Sequence, residues 1–217
     1  APNVVIRLAS GGYIGGGLYH SQTIESVLTT FPGLRVVYPA FADDAAGMLR
    51  TAMRSRGPIL YLEPKTCYNA KYAMSVVPEG FEVPFGKARL RREGKDLSII
   101  TFGNTVHHSL EAAEKLAEDG YDVEVLDLRS LNPLDTDAIY ETVKKTHRVL
   151  VAHEDKVFSG FGGEIVATIN EIAFEELDAP VRRIGSPFTP VGFNRILEKA
   201  ILPNAQKIED AARDLLN

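Results

Sequence analysis

With a single cysteine in 217 residues, Cys67, the chain cannot close an internal disulfide, which excludes a small secreted fold stapled by such bridges. No apolar run approaches the ~20 residues that a membrane-spanning helix needs. Basic charge is also thin. Lys and Arg number 24 against 29 Asp and Glu, for a net charge of -5, and only Arg89, Arg91 and Arg92 form a short cationic run. Nucleic acid demands a basic stripe, so it is not expected as a partner, and neither is a membrane. Repeats and low-complexity tracts are missing too. Nothing of a basic leader or polar lead-in stands before Val4-Val5-Ile6, only Ala1-Pro2-Asn3, so the sequence is expected to start inside a longer one. These absences point to a reducing compartment, either bacterial cytoplasm or mitochondrial matrix.

What is present is the balance of a soluble globular protein, 45% apolar and 24% charged. Short β-branched runs alternate with stretches of helical period, the pattern of βα units around a mainly parallel sheet, and the length suits two modest α/β units. Strands are expected at 4–8, 35–38, 59–62, 88–90, 97–102, 123–126, 149–152 and 181–184. Helices are expected at 24–28, from an N-cap at Asp43 to Arg54, and from a cap at Thr105 with Val106, Leu110, Ala113, Leu116 and Ala117 on one face. Others follow at 137–145, at 164–173 and after Asn204. Between Pro64 and Pro84 the periodicity fails, with Pro78 and Gly80 inside it, which reads as a surface connection. The expected division is residues 1–70, a linker at 71–85, and a second open-sheet unit at 86–217.

The densest chemical signal is Gly15-Gly16-Gly17-Leu18-Tyr19-His20-Ser21-Gln22, a glycine loop after a strand and before a helix, where an α/β sheet presents side chains to a ligand. A histidine can give or take a proton near neutral pH, and His20 is the candidate proton-transfer group; the plain alternative is a histidine satisfying local backbone. The glycines lack dinucleotide-fingerprint spacing and read as a tight turn. A second cluster, Gly160-Phe161-Gly162-Gly163, has no P-loop lysine and reads as close packing of helix on sheet, with nucleotide binding the alternative. His107 and His108 are helical neighbours that point apart, so they make no metal pair. His153-Glu154-Asp155 ends a strand; its acidic pair is expected to raise the histidine pKa, and its role is read as structural or interfacial. Cys67 has no histidine nearby and is assigned no function.

Longer strings carry more. Gly16-Gly17-Leu18-Tyr19-His20-Ser21-Gln22, Pro32-Gly33-Leu34-Arg35-Val36-Val37 and Leu62-Glu63-Pro64-Lys65 resemble the beta subunit of 2-oxoacid dehydrogenases, the decarboxylating component of the pyruvate and branched-chain complexes. Pro84-Phe85-Gly86-Lys87-Ala88, the segment Leu126 to Asp135, and His153-Glu154 with Gly160 to Ile165 resemble that subunit's transketolase-type C-terminal domain. The resemblance implies that residues 1–70 are the C-terminal part of a thiamine-pyrimidine-binding domain, whose cofactor-activating glutamate would lie upstream of Ala1. It implies thiamine diphosphate as cofactor, with the diphosphate and magnesium held by an alpha subunit or fused alpha domain. A second beta subunit and a lipoyl acyltransferase core are the other implied partners. His20 would act beside the thiazolium in decarboxylation or acyl transfer, the residues 52–57 would lie where some members bind a monovalent cation, and this chain alone would be inactive. Asn69 and the stretch Pro187 to Arg195 depart from the family pattern, and Leu18-Tyr19 leans toward branched-chain or acetoin-type members. The competing reading is an assembly module that docks the dehydrogenase onto the acyltransferase core.

Overall fold

The structure, a computed structural model, describes residues 2–217; Ala1 lies outside the described residues. The N-terminal half opens with β1 (Val4–Ser10), α1 (Gly17–His20), α2 (Glu25–Thr29), β2 (Arg35–Val37), α3 (Ala42–Arg54) and β3 (Pro58–Pro64). Two 3-10 turns at Lys65–Asn69 and Lys71–Ala73 follow, and then β4 (Arg89–Arg92), β5 (Leu97–Thr101), α4 (Thr105–Glu118), β6 (Val123–Asp127) and β7 (Ser130–Asn132). The chain closes with α5 (Thr136–Thr146), β8 (Val149–Lys156), α6 (Gly162–Ala173), β9 (Arg182–Ser186), α7 (Arg195–Ile201) and α8 (Ala205–Leu216).

Two sheets result, ordered β1-β3-β2-β7 and β4-β6-β5-β8-β9. In the first, β3 runs parallel to both β1 and β2; in the second, β6, β5, β8 and β9 are parallel and β4 is an antiparallel edge. Strands β5, β6 and most of β8 are buried on both faces, as strands between helix layers are, with Ser98, Thr101, Glu124 and Asp127 buried among their apolar residues. The architecture is α/β with two open sheets. The first sheet recruits β7 from the other half: Val36 faces Asn132 and Val37 faces Ser130, antiparallel. One apolar cluster also spans both sheets, with Val36, Tyr38 and Leu62 packed in continuity with Ile100, Phe102 and Leu128. A second cluster lies under α4 and α8, and a third between α3 and the first sheet.

Several expectations shift in detail. Phe41, not Asp43, occupies the N-cap of α3, because the Asp43 carboxylate is engaged by Ser75 and Arg89. Asn104 precedes α4, where the Thr105 hydroxyl bonds back to the Phe102 carbonyl at 2.7 Å, and Ala112 rather than Ala117 completes the buried face. The Pro64–Pro84 connection lies on the surface as expected, most of its residues exposed or half-buried, and its far end packs under α3. Gly47 of α3 lies so close to Val83 and Phe81 that a Cβ would meet Val83 at 2.9 Å, and the Thr51 hydroxyl donates to the Val83 carbonyl at 2.8 Å. Val83 therefore joins the core beneath α3.

Candidate functional site

The loop between β1 and α2 is built by strain and then anchored. Gly15 (φ +71°) and Gly17 (φ +60°) occupy the left-handed region, which costs a residue with a Cβ about 1 kcal/mol or more, so the tight-turn reading of these glycines has a direct structural cause. The loop delivers His20 to the last turn of α1 with its side chain exposed, next to Leu18 and Tyr19, which are 54% and 90% exposed. His20 therefore stands at the surface among uncovered apolar side chains.

The donors that a phosphate-cradling loop would offer a ligand are already taken by carboxylates of the C-terminal half. The Gly12 N–H donates to Glu154 Oε1 at the end of β8, and the N–H groups of Ile14 and Gly15 donate to Glu198 of α7. Ser21, fully buried beside His20, donates its hydroxyl to Glu198 at 3.0 Å and accepts the Gly16 N–H at 3.0 Å. Gln22 completes the dock, accepting Lys156 Nζ at 2.8 Å. Burial drives the Glu154 carboxyl up to about 7, opposed by the Gly12 N–H and by Lys65.

Behind the loop, Glu25 at the start of α2 is fully buried, and neither of its oxygens has a hydrogen-bonding partner among the described residues. Burial first, and then Asp155 and Glu154, push its carboxyl up to about 8. Ser26 donates to Asp155 at 2.7 Å, so α2 is tied to β8 by a neutral donor beside this crowded acidic group.

His153 overturns one expectation. Its acidic neighbours do not raise its pKa: burial dominates and lowers it to about 4, with Asp155 opposing only in part. The reason is the glycine cluster. A Cβ on Gly162 would fall 2.3 Å from the His153 ring and one on Gly160 2.8 Å from it, so α6 packs directly on the imidazole, whose other side meets Phe102. Close packing thus accounts for Gly160 and Gly162. His107 and His108 diverge, the first reaching the Ala40 carbonyl at 2.9 Å and the second Asn104 at 3.2 Å. Burial pushes the Cys67 thiol up to about 11, which suits a bystander.

A cleft of about 800 Å³ opens between Ser26, Thr29, Asn132, Ser159 and Glu164, but His20 is not part of it. No group of three or more His, Cys, Asp or Glu suited to a metal ion occurs among the described residues, and no helix there is long and apolar enough to cross a membrane. Sequence reasoning missed Glu198 and the role of Ser21. The only signal for the first was the helical spacing of Ile196, Leu197, Ala200 and Ile201 behind the capping Asn194.

Known proteins resemble the chain along nearly its whole length. The chain is 39% identical over 214 residues to 2-oxoisovalerate dehydrogenase subunit beta of Bacillus subtilis, covering 98% of this chain and 65% of that protein. It is 42% identical over 215 residues to pyruvate dehydrogenase E1 component subunit beta of Porphyra purpurea, covering 99% and 64%. To acetoin:2,6-dichlorophenolindophenol oxidoreductase subunit beta of Bacillus subtilis it is 38% identical over 214 residues, covering 98% and 62%. The chain spans just under two thirds of the length of these relatives. A solved structure described as a split gene transketolase, inactive beta4 tetramer, superposes with a TM-score of 0.75 at 24% identity, over 98% of this chain and 66% of that one, a likeness of fold. The pyrimidine-binding domain model of transketolase matches residues 1–71 and the transketolase C-terminal domain model matches residues 86–208, and the chain belongs to that transketolase family.

Proposed function

We propose that this chain is part of the beta subunit of a thiamine-diphosphate-dependent 2-oxoacid dehydrogenase, with His20 as its proton-transferring residue. The observation that carries the reading is the exposed His20 at the tip of an anchored glycine loop, flanked by uncovered Leu18 and Tyr19. It is supported by the similarity to beta subunits that runs along nearly the whole chain. Residues 1–70 would form the pyrimidine-side unit, 71–85 the linker and 86–217 the C-terminal unit.

The residues present fit the cofactor only in part. Leu18, Tyr19 and the 79% exposed Phe193 offer apolar surface to one side of a planar heteroaromatic ring. For a magnesium-bound diphosphate there is no group of three or more His, Cys, Asp or Glu suited to a metal ion among the described residues, so that end would be held by an alpha subunit or fused alpha domain. Thiamine diphosphate, when bound, supplies the carbanion chemistry of the reaction. What this chain contributes is orientation, exclusion of water by the apolar wall, and a proton held or released at the His20 imidazole. The acyl group would pass to the lipoyl group of an acyltransferase core.

An assembly role is compatible with this one and has its own observation. Phe158 and Phe188, 66% and 74% exposed, lie ring against ring at 4.8 Å, an aromatic patch suited to a partner subunit or to the acyltransferase core. The test of the main reading is 2-oxoacid-dependent dye reduction by the assembled enzyme, with and without thiamine diphosphate. Activity that needs the cofactor and falls in His20→Ala supports it; activity indifferent to both refutes it.

A further inference from the structure

We infer that Glu198 is a positioning residue for His20, its carboxylate fixing the loop on which the histidine is mounted. The inference rests on the reading of His20 as the proton-transferring group and extends it to a residue far away in sequence.

Glu198 is 3% exposed, and among the described residues it pairs with no cation; its partners are donors of the glycine loop. Buried carboxyls are uncommon unless something compensates them, so this donor set is the reason for its burial. Oε1 accepts the Ile14 N–H at 3.2 Å and the Ser21 hydroxyl at 3.0 Å, while Oε2 accepts the Gly15 N–H at 2.9 Å. Through Ser21 the Gly16 N–H is drawn in as well. The carboxylate therefore grips the chain before His20 and directly after it, with Ser21 lying 177 residues from its partner. Successive N–H groups in a turn with left-handed residues form a concave anion nest, and here the occupant is the protein's own side chain.

The consequence follows from the backbone. Tyr13, Gly15 and Gly17 all have positive φ, and a glycine-rich segment of that kind has many alternative conformations nearby. Proton transfer needs its donor held to within roughly 0.5 Å. Glu198 removes the loop's freedom without touching the reacting centre. Steric closure assists it: a Cβ on Gly12 would meet Leu202, one turn beyond Glu198, at 2.6 Å, and one on Gly17 would meet Phe193 at 2.8 Å. Glutamine is an incomplete substitute. If its oxygen keeps Ile14 and Ser21, its amide NH2 opposes the Gly15 N–H.

The test uses the holoenzyme assembled with thiamine diphosphate and magnesium, turning over pyruvate or 2-oxoisovalerate with 2,6-dichlorophenolindophenol as acceptor. Glu198→Ala is expected to lower kcat about 10- to 100-fold with KM within about twofold, because orientation and not substrate binding is lost. Ser21→Ala and Glu198→Gln should fall between. In a His20→Ala background, either Glu198 variant should cost nothing further, whereas damage unrelated to His20 would multiply. An additive loss in the double variant, or an unchanged kcat in Glu198→Ala, overturns the inference. Should Glu198→Ala fail to fold, the Ser21→Ala and Glu198→Gln pairs with His20→Ala carry the same comparison. A His20→Ala enzyme with unaltered kcat defeats the reading of His20 itself and the inference with it. A His20→Ala enzyme that is impaired, with Glu198 losses adding on top, defeats the inference alone.

Discussion

Arg129 donates to Asp44 at 2.7 Å, joining the segment after β6 to α3 of the other half, with both side chains buried. Arg91 pairs with the same carboxylate and with Asp127 at 2.8 Å, and its guanidinium lies 4.1 Å from the Phe41 ring centre. Arg129 also donates to the Lys87 and Ala88 carbonyls. Removing Asp44 leaves buried guanidinium charge without its partner, which costs far more than the pair contributes. Asp44→Ala is expected to lower unfolding stability by about 3–5 kcal/mol, read from the urea midpoint. A change below about 0.5 kcal/mol, the range of an ordinary surface substitution, would mean the network does not hold the halves together.

Glu25 sets a pH dependence. Its carboxyl is raised from 4.5 to about 8 in the folded chain. Between those values the unfolded chain has released the proton and the folded chain has kept it, so stability falls as pH rises through that window and levels off above it. Glu25→Gln removes the ionisable group and should flatten the loss, making the variant more stable than the parent at pH 8.5 by up to roughly 4 kcal/mol, but not at pH 4.5. Thermal melts of both chains across pH 4.5 to 8.5 decide it, and parallel curves would refute the buried, unpartnered assignment. His153 acts at the acid end: lowered to about 4, it favours the folded state above its unfolded value, and that stability is lost as pH falls toward 4.

Gly162 stands where the His153 ring leaves no room for a methyl group. Gly162→Ala is expected to cost about 2–3 kcal/mol through overpacking, whereas Gly163→Ala meets only the far end of the flexible Arg183 side chain and should stay within about 1 kcal/mol of the parent. Guanidinium titrations of the two variants separate packing from a general intolerance of alanine in α6. Equal losses would contradict the packing account.

His20 carries the catalytic prediction. In the assembled enzyme His20→Ala should lower kcat about 100-fold or more, the usual share of a positioned acid or base, with the fold unaffected because the side chain is exposed. Parallel measurement of kcat and of the melting temperature tests both halves of that statement. A large drop in melting temperature would assign His20 a structural role instead.

What was legible in the sequence follows from the range of the forces involved. Strand β3 announces itself because two-sided burial leaves the unbroken apolar run Ile59 to Leu62, β5 because Leu97, Ile99 and Ile100 dominate it, and α8 because Asn204 caps it, accepting the Lys207 N–H at 3.1 Å. Strand β7 is three residues long and shows no alternation; only its partner β2, far upstream, makes it a strand. The site divides in the same way. His20 and its glycines lie together in one motif, but Glu198 reaches them only through the fold, and no local pattern joins a glutamate of α7 to Ser21. The fall in the His153 pKa was hidden for a related reason: adjacent acids are visible in sequence, and desolvation by α6 is not.

On the proposed reading, these residues form one wall of a thiamine-diphosphate cleft that a partner must complete. The direct measurement is turnover of pyruvate and of 2-oxoisovalerate by the purified 217-residue chain, alone and after addition of an alpha subunit, with thiamine diphosphate and magnesium present in both. The chain alone should show no turnover above the cofactor blank; steady oxidation of either acid by the chain unaided would contradict the claim.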